Sequence, residues 1–222
     1  MQNPPTNKTL LILDFGSQYT HLITRRIREL NIYCQVHSCL TPLSSLSFTP
    51  SAIILSGGPH SVYDVDSPHV HPSYLDLNVP ILGICYGLQE LVHTFSGDIK
   101  QCLHKEYGDA EITIFSSRLF QGITKSKFNV WMSHGDQVQS LPTGWLRIAE
   151  TSTAPFAAVE FPEKNIFGVQ FHPEVTHTEF GRIIIENFVK ICGIEKNWTM
   201  VTLPLSLDKI YSVSGSIHQR RT

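Results

Sequence analysis

The residue that most needs a chemical explanation is Cys85. It stands where an apolar strand pattern, Ile81-Leu82-Gly83-Ile84, meets a helix pattern opening near Tyr86, with glycines at 83 and 87. Such a strand-to-helix turn is a nucleophile elbow: it can hold one side chain in a strained backbone conformation at the strand's carboxyl end, and small neighbours let helix and strand approach closely. The amino end of the helix favours a thiolate, because its unpaired N–H groups and dipole stabilise negative charge. A single cysteine also serves as a small buried apolar residue. The flanking glycines separate the two readings, since a packing cysteine needs no such turn.

A thiolate nucleophile needs a proton carrier, and the best candidate lies far along the chain in Gly168-Val169-Gln170-Phe171-His172-Pro173-Glu174. In extended chain, residues two apart point to one side at roughly 6 to 7 Å, so Glu174 can turn back to bond one imidazole nitrogen of His172 and leave the other for the thiol. Pro173 cannot continue a strand ladder, which suits a strand end. A satisfied core histidine beside a solvated carboxylate is the alternative for this pair. The third piece is Ser56-Gly57-Gly58-Pro59, where glycines let the backbone come close to a ligand and present N–H groups as an oxyanion hole. An ordinary turn ending a strand is its alternative.

These pieces need a scaffold. Thr9 to Phe15 is a nearly continuous apolar run, as in a strand covered on both faces, and it breaks at Gly16-Ser17-Gln18. Leu22, Ile23, Ile27 and Leu30 then recur at helical spacing, with Arg25, Arg26, Arg28 and Glu29 on the wet side. Further strands are expected at 33–36, 52–55 and 80–84. Strands alternating with helices imply a mostly parallel, open α/β sheet flanked by helices. Shorter strand candidates at 111–115, 130–132, 146–150, 157–161 and 166–171 suggest a small antiparallel extension, and Phe180 to Cys192 closes with an amphipathic helix. Cys85, His172 and the Gly57-Gly58 turn each follow a strand, so all three can meet at the carboxyl edge of one sheet, where open α/β folds bind ligands.

Composition narrows the remaining choices. A chain of 222 residues with 41% hydrophobic side chains can bury one sizeable core, and 17 Lys plus Arg against 19 Asp plus Glu leave no basic excess for nucleic acid. Five cysteines without a CxxC pair argue against a disulfide framework or a cysteine zinc site, and fit a reducing cytoplasm. The first apolar stretch is too short for a signal sequence or a membrane span. His69 and His71, flanked by prolines, read as exposed loop residues rather than metal ligands.

Together these residues resemble the class I, or triad, glutamine amidotransferases, and more closely the amidotransferase domain of GMP synthetase. The segments that carry the resemblance are ILDFGSQYTHLITRRIREL from Ile12, ILSGGP from Ile54, GICYG from Gly83, VWMSHGDQV from Val130 and GVQFHPEVTHT from Gly168. It implies a flavodoxin-like fold, with Cys85 attacking the carboxamide of L-glutamine, His172 shuttling the proton and Glu174 orienting His172. Backbone N–H groups of Gly58 and Tyr86 would hold the oxyanion. Gly57, Leu88 in the pocket wall, Gln89 and a Ser133-His134-Gly135-Asp136 turn would meet the substrate, with Asp136 taking its ammonium. Gln18 is read either as lining the site or as capping the first helix.

Three small departures from that family's pattern are Leu88 for the common methionine, Lys105 for an arginine before Glu-Tyr-Gly, and Asp98 where a second glycine usually follows Gly97; aspartate cannot freely take a positive φ, so a changed turn is expected there. The phosphate loop of an ATP-dependent synthetase is not found after Trp198-Thr199-Met200. The expected organisation is a disordered start over 1–8, an amidotransferase domain over 9–200 and an atypical, disordered tail over 201–222. No cofactor is expected in the domain, and ATP and Mg belong to a synthetase domain or a separate synthetase chain that uses the ammonia to convert XMP to GMP. An amidotransferase or γ-glutamyl hydrolase of another pathway, or an inactive or uncoupled remnant, stays open as an alternative.

Overall fold

The computed structural model describes residues 8–199. The tail expected over 201–222 lies outside these residues, as do the first seven residues of the expected disordered start; Lys8 is described and donates from Nζ to the Gly193 carbonyl at 2.9 Å.

Among the described residues, one nine-stranded sheet organises the fold. Its parallel part runs in the order β2 (Cys34–Ser38), β1 (Thr9–Asp14), β3 (Pro50–Leu55), β4 (Ile81–Ile84) and β9 (Ile166–Val169). The antiparallel part continues through β8 (Ala158–Phe161), β7 (Leu146–Glu150), β5 (Asp98–Ile114) and β6 (Lys127–Ser140). Among the described residues three α-helices cover it: α1 (Thr20–Glu29), α2 (Tyr86–Thr94) and α3 (Gly181–Cys192).

The apolar runs are explained by burial on both faces. In β1, Leu10 and Ile12 join the core formed with Ile23 and Ile27 of α1 and Ile184 and Phe188 of α3, whereas Leu11 and Leu13 face Leu88, Leu91 and Val92 of α2. Alternate residues of a strand point to opposite faces, so a strand between two helical layers must be apolar throughout. Helix α1 is amphipathic in the expected sense: Ile23 and Ile27 are buried, while Arg25 and Arg26 pair with Glu29 at 2.9 and 3.0 Å.

Strands β1, β3, β4 and β9 are mutually parallel, so their carboxyl ends share one edge. The residues that follow them, near 15–19, 56–59, 85 and 170–174, gather there. That edge carries the candidate site.

The structure corrects two local expectations. Ser133 to Asp136 is no tight turn; it lies inside β6, a 14-residue strand, and β5 opposite it has 17 residues. Phe128, Val130, Met132 and His134 are buried at alternating positions, so the period-two pattern continues through a histidine where glycine and aspartate suggested a turn. The second correction concerns Asp98, which begins β5 without a positive φ; the left-handed residue of that turn is Ser96, with φ of 67°. The aspartate therefore meets no conformational penalty there, and its carboxylate accepts from Ser140 Oγ at 2.8 Å.

Candidate active site

Cys85 sits between β4 and α2 with φ of 54° and ψ of −106°. This is a strained conformation for a side-chain-bearing residue, and the surroundings hold it. Its N–H donates to the Val169 carbonyl at 2.8 Å, and its carbonyl accepts from the Leu88 and Gln89 amides of the first turn of α2. The thiol is 5% exposed and donates to the Ser133 carbonyl at 3.5 Å, while Gln170 Nε2 approaches the sulfur at 3.7 Å.

His172 follows β9 and is 3% exposed. Its N–H donates to the Trp131 carbonyl at 3.0 Å, and its carbonyl accepts from Thr178 Oγ1 at 2.6 Å. The same hydroxyl oxygen accepts from the Trp131 amide at 3.0 Å, so Thr178 ties the histidine turn to β6. In the ring, Nδ1 donates to Glu174 Oε1 at 2.8 Å, which leaves Nε2 for the sulfur. A methyl built on Gly57 would lie 3.3 Å from His172 Cε1 and 3.6 Å from Cys85 Cβ, so imidazole and thiol share one small volume. Burial works against charge on the ring, but Cys85 and Glu174 outweigh it and raise the His172 pKa to about 10.

Glu174 is 1% exposed, and its second carboxylate oxygen has no hydrogen-bond partner among the described residues. Arg26 Nε of α1 holds its backbone carbonyl at 3.0 Å. The amide N–H groups of Gly58 and Tyr86 have no acceptor among the described residues, and Gly58 borders the cleft beside Cys85.

That cleft has a volume of about 630 Å³ and is walled by Gly58, Cys85, Gln89, Ser133, His134, Gly135, Asp136 and His172 together with Gln18 and Tyr19. Asp136 offers a carboxylate with no side-chain partner among the described residues. Gln89 is 3% exposed; its Nε2 donates to the Asp136 carbonyl at 2.7 Å and to Gln170 Oε1 at 3.3 Å. His134 is 4% exposed, bonded through Nδ1 to the Asp136 carbonyl at 3.0 Å and through Nε2 to Glu106 at 2.9 Å. Burial pushes the His134 pKa down, with Glu106 pulling the other way.

Leu88 is placed elsewhere. Its side chain is fully buried in the core between α2 and the sheet, packed on Gly168, and it does not border the cleft. Gln18 makes no cap to α1 and borders the cleft instead. His69 is exposed as expected, yet it bonds the buried Glu90 carboxylate at 2.9 Å. Among the described residues no group of histidine, cysteine, aspartate and glutamate side chains has metal-binding geometry, and no helix is long and apolar enough to cross a membrane.

Sequence reasoning missed Gln170, Glu106 and Tyr19, whose ring meets the His172 ring edge-on at 5.1 Å. Gln170 had a usable signal, two residues before His172 in the segment that follows β9. Glu106 had only its place in the Glu-Tyr-Gly stretch of the family pattern, because its contact with His134 depends on which strand lies opposite.

The family model for glutamine amidotransferase class-I matches residues 11–192. The chain belongs to the class I glutamine amidotransferases. Among curated proteins, it is 50% identical over 195 residues to a GMP synthase [glutamine-hydrolyzing] of Debaryomyces hansenii, covering 86% of this chain and 36% of that one. A protein of the same name from Thermosipho melanesiensis is 51% identical over 195 residues, covering 87% of this chain and 38% of that one. This amidotransferase chain thus spans a little over a third of the length of these relatives. Among solved structures, a protein from Thermoplasma acidophilum named as a GMP synthase subunit superposes with a TM-score of 0.73 at 30% identity, covering 84% of this chain and 94% of that one. A glutamine amidotransferase from Methylobacillus flagellatus, at 16% identity and a TM-score of 0.66 over 85% of this chain and 96% of that one, shares the fold.

Proposed function

We propose that this domain hydrolyses L-glutamine to glutamate and ammonia through a cysteinyl thioester, and that the ammonia serves the amination of XMP to GMP. The observation that carries the reading is the Cys85 thiol on its strained turn, in the same small volume as an imidazole bonded to a buried carboxylate.

The Cys85 thiol gives its proton to Nε2 of His172, whose raised pKa favours the imidazolium, as the S–H bond breaks. The Cys85 sulfur adds to the carboxamide carbon, and the carbonyl π pair moves onto oxygen. The unpaired N–H groups of Gly58 and Tyr86 receive that oxyanion; preorganised donors of this kind are worth about 3 kcal/mol of barrier each. As the oxyanion collapses the C–N bond breaks, and Nε2 of His172 gives its proton to the departing nitrogen, which leaves as ammonia. The neutral ring then takes a proton from water while the hydroxide adds to the thioester carbon. Cleavage of the C–S bond releases glutamate and restores the thiolate. Glu174 holds the ring so that Nε2 faces the sulfur throughout. Asp136 takes the substrate's ammonium, with Gln89 and the Ser133–Gly135 backbone along the remainder of the substrate.

This half-reaction uses protein groups alone, so ATP and Mg belong to the synthetase step on a separate domain or chain. The five thiols, none in a disulfide among the described residues, suit the reducing cytoplasm. The relatives named GMP synthase, and the solved structure named as one of its subunits, support this coupling. Glutamate release from glutamine tests the chemistry. The parent protein is expected to turn over and Cys85→Ala to fall to background; equal rates for the two would refute the assignment.

A further inference from the structure

Strands β5 and β6 pair with a break in register. Gln101 lies opposite Asp136 and Glu106 opposite His134, so four residues of β5 face Gly135 alone. Where the ladder is interrupted, side chains hold the β6 backbone. The Asp136 carbonyl accepts from Gln89 Nε2 at 2.7 Å and from His134 Nδ1 at 3.0 Å. His134 is pinned from its far side by Glu106, whose Oε2 lies 2.9 Å from Nε2. The other Glu106 oxygen accepts from Thr153 Oγ1, in the connection between β7 and β8. A line of contacts therefore runs from that connection through Glu106 and His134 to the backbone that carries Asp136.

An imidazole does not select its own orientation. Turning the ring over exchanges Nδ1 with a carbon, and the partner at the second nitrogen decides which way it rests. Here the carbonyl at Nδ1 only accepts, so that nitrogen carries a proton, and the contact at Nε2 is one hydrogen bond whose single proton is shared between the ring and the Glu106 carboxyl; that bond fixes the orientation that delivers Nδ1–H to the carbonyl. We infer that Glu106 is a positioning residue for substrate recognition: acting through His134, it holds the Asp136 segment so that the Asp136 carboxylate meets the substrate's ammonium. This rests on the glutamine reading above, and it makes His134 a buttress rather than a substrate contact.

The test is a split between KM and kcat for glutamine hydrolysis in Glu106→Ala and Glu106→Gln. In Glu106→Ala, KM is expected to rise about tenfold, as for loss of one charge-assisted hydrogen bond, with kcat held within about twofold. The Glu106→Gln carboxamide still bonds Nε2, by donating from its NH2 group, so that variant is expected to stay within about threefold of the parent KM. A second readout labels Cys85 with iodoacetamide and with a glutamine-shaped chloroketone; only labelling by the chloroketone is expected to slow in Glu106→Ala, again by about tenfold. A parental KM in Glu106→Ala, or a fall in kcat with KM unchanged, overturns the inference. If Glu106→Ala does not fold, Glu106→Asp, which withdraws the carboxylate by one methylene, decides: a raised KM supports the role and an unchanged KM overturns it. Failure of the parent itself to hydrolyse glutamine or take up the chloroketone would instead refute the glutamine reading.

Discussion

Replacing Gly87 with alanine would put a methyl group 2.4 Å from the Leu55 carbonyl oxygen and 2.7 Å from Leu55 Cβ. Ordinary contact begins near 3.4 Å, so the shortfall is about 1 Å, and it falls against the backbone of a central strand. No side-chain rotation relieves it; α2 must move away from β3. Overpacking of this kind costs about 1 to 3 kcal/mol, and a fixed backbone neighbour places it near the upper end. At about 2 to 4 °C per kcal/mol for a domain of this size, the melting temperature falls by roughly 6 to 12 °C. The chemistry suffers separately, because α2 starts at Tyr86 directly after the nucleophile. A displacement of about 1 Å at a reacting atom costs about a hundredfold in rate.

Gly122→Ala supplies the control. Its added methyl meets nothing within 4 Å, and only its φ of +84° opposes the change. That substitution is expected to cost about 1 kcal/mol through the backbone alone and to leave kcat at the parental value. Thermal melts and glutaminase rates of both proteins, measured side by side, separate packing from backbone strain. Parental stability and activity in Gly87→Ala, or equal rates in the two variants, would refute the argument that close contact between α2 and β3 sets the position of Cys85.

Further outcomes follow from the histidine turn. Glu174→Gln keeps the shape but removes the charge beside His172; kcat is expected to fall by about 10²- to 10⁴-fold. NMR titration of the parent ring is expected to show a transition near 10, which moves down in this variant. Because the folded value lies above the ordinary 6.5, the stabilisation this group confers is complete below pH 6.5 and is lost as pH rises through about 10, a trend that chemical denaturation at several pH values would show. Thr178→Val removes the hydroxyl that bridges the His172 carbonyl and the Trp131 amide. It leaves the buried His172 carbonyl and the part-buried Trp131 amide without that partner, so denaturant midpoints should report a loss of about 1 to 3 kcal/mol, with kcat falling as the ring loses its fixed position.

Much of this protein was legible in one dimension because the signals are local. The apolar runs of β1 and β4, the helical spacing in α1, the glycines around Cys85 and the two-residue step from His172 to Glu174 each act over a few residues, and backbone geometry alone gives them meaning. The tertiary structure decided what depends on register between distant segments. Ser133 to Asp136 became strand because β5 pairs with it, despite turn-forming residues. Leu88 went to the core because the packing of α2 turned its side chain toward Gly168. Glu106 and Gln170 acquired partners 28 and 85 residues away. A hydrogen bond between side chains from separate strands is set by the relative shift of those strands, and a break such as the one opposite Gly135 changes that shift without leaving a repeat in either sequence.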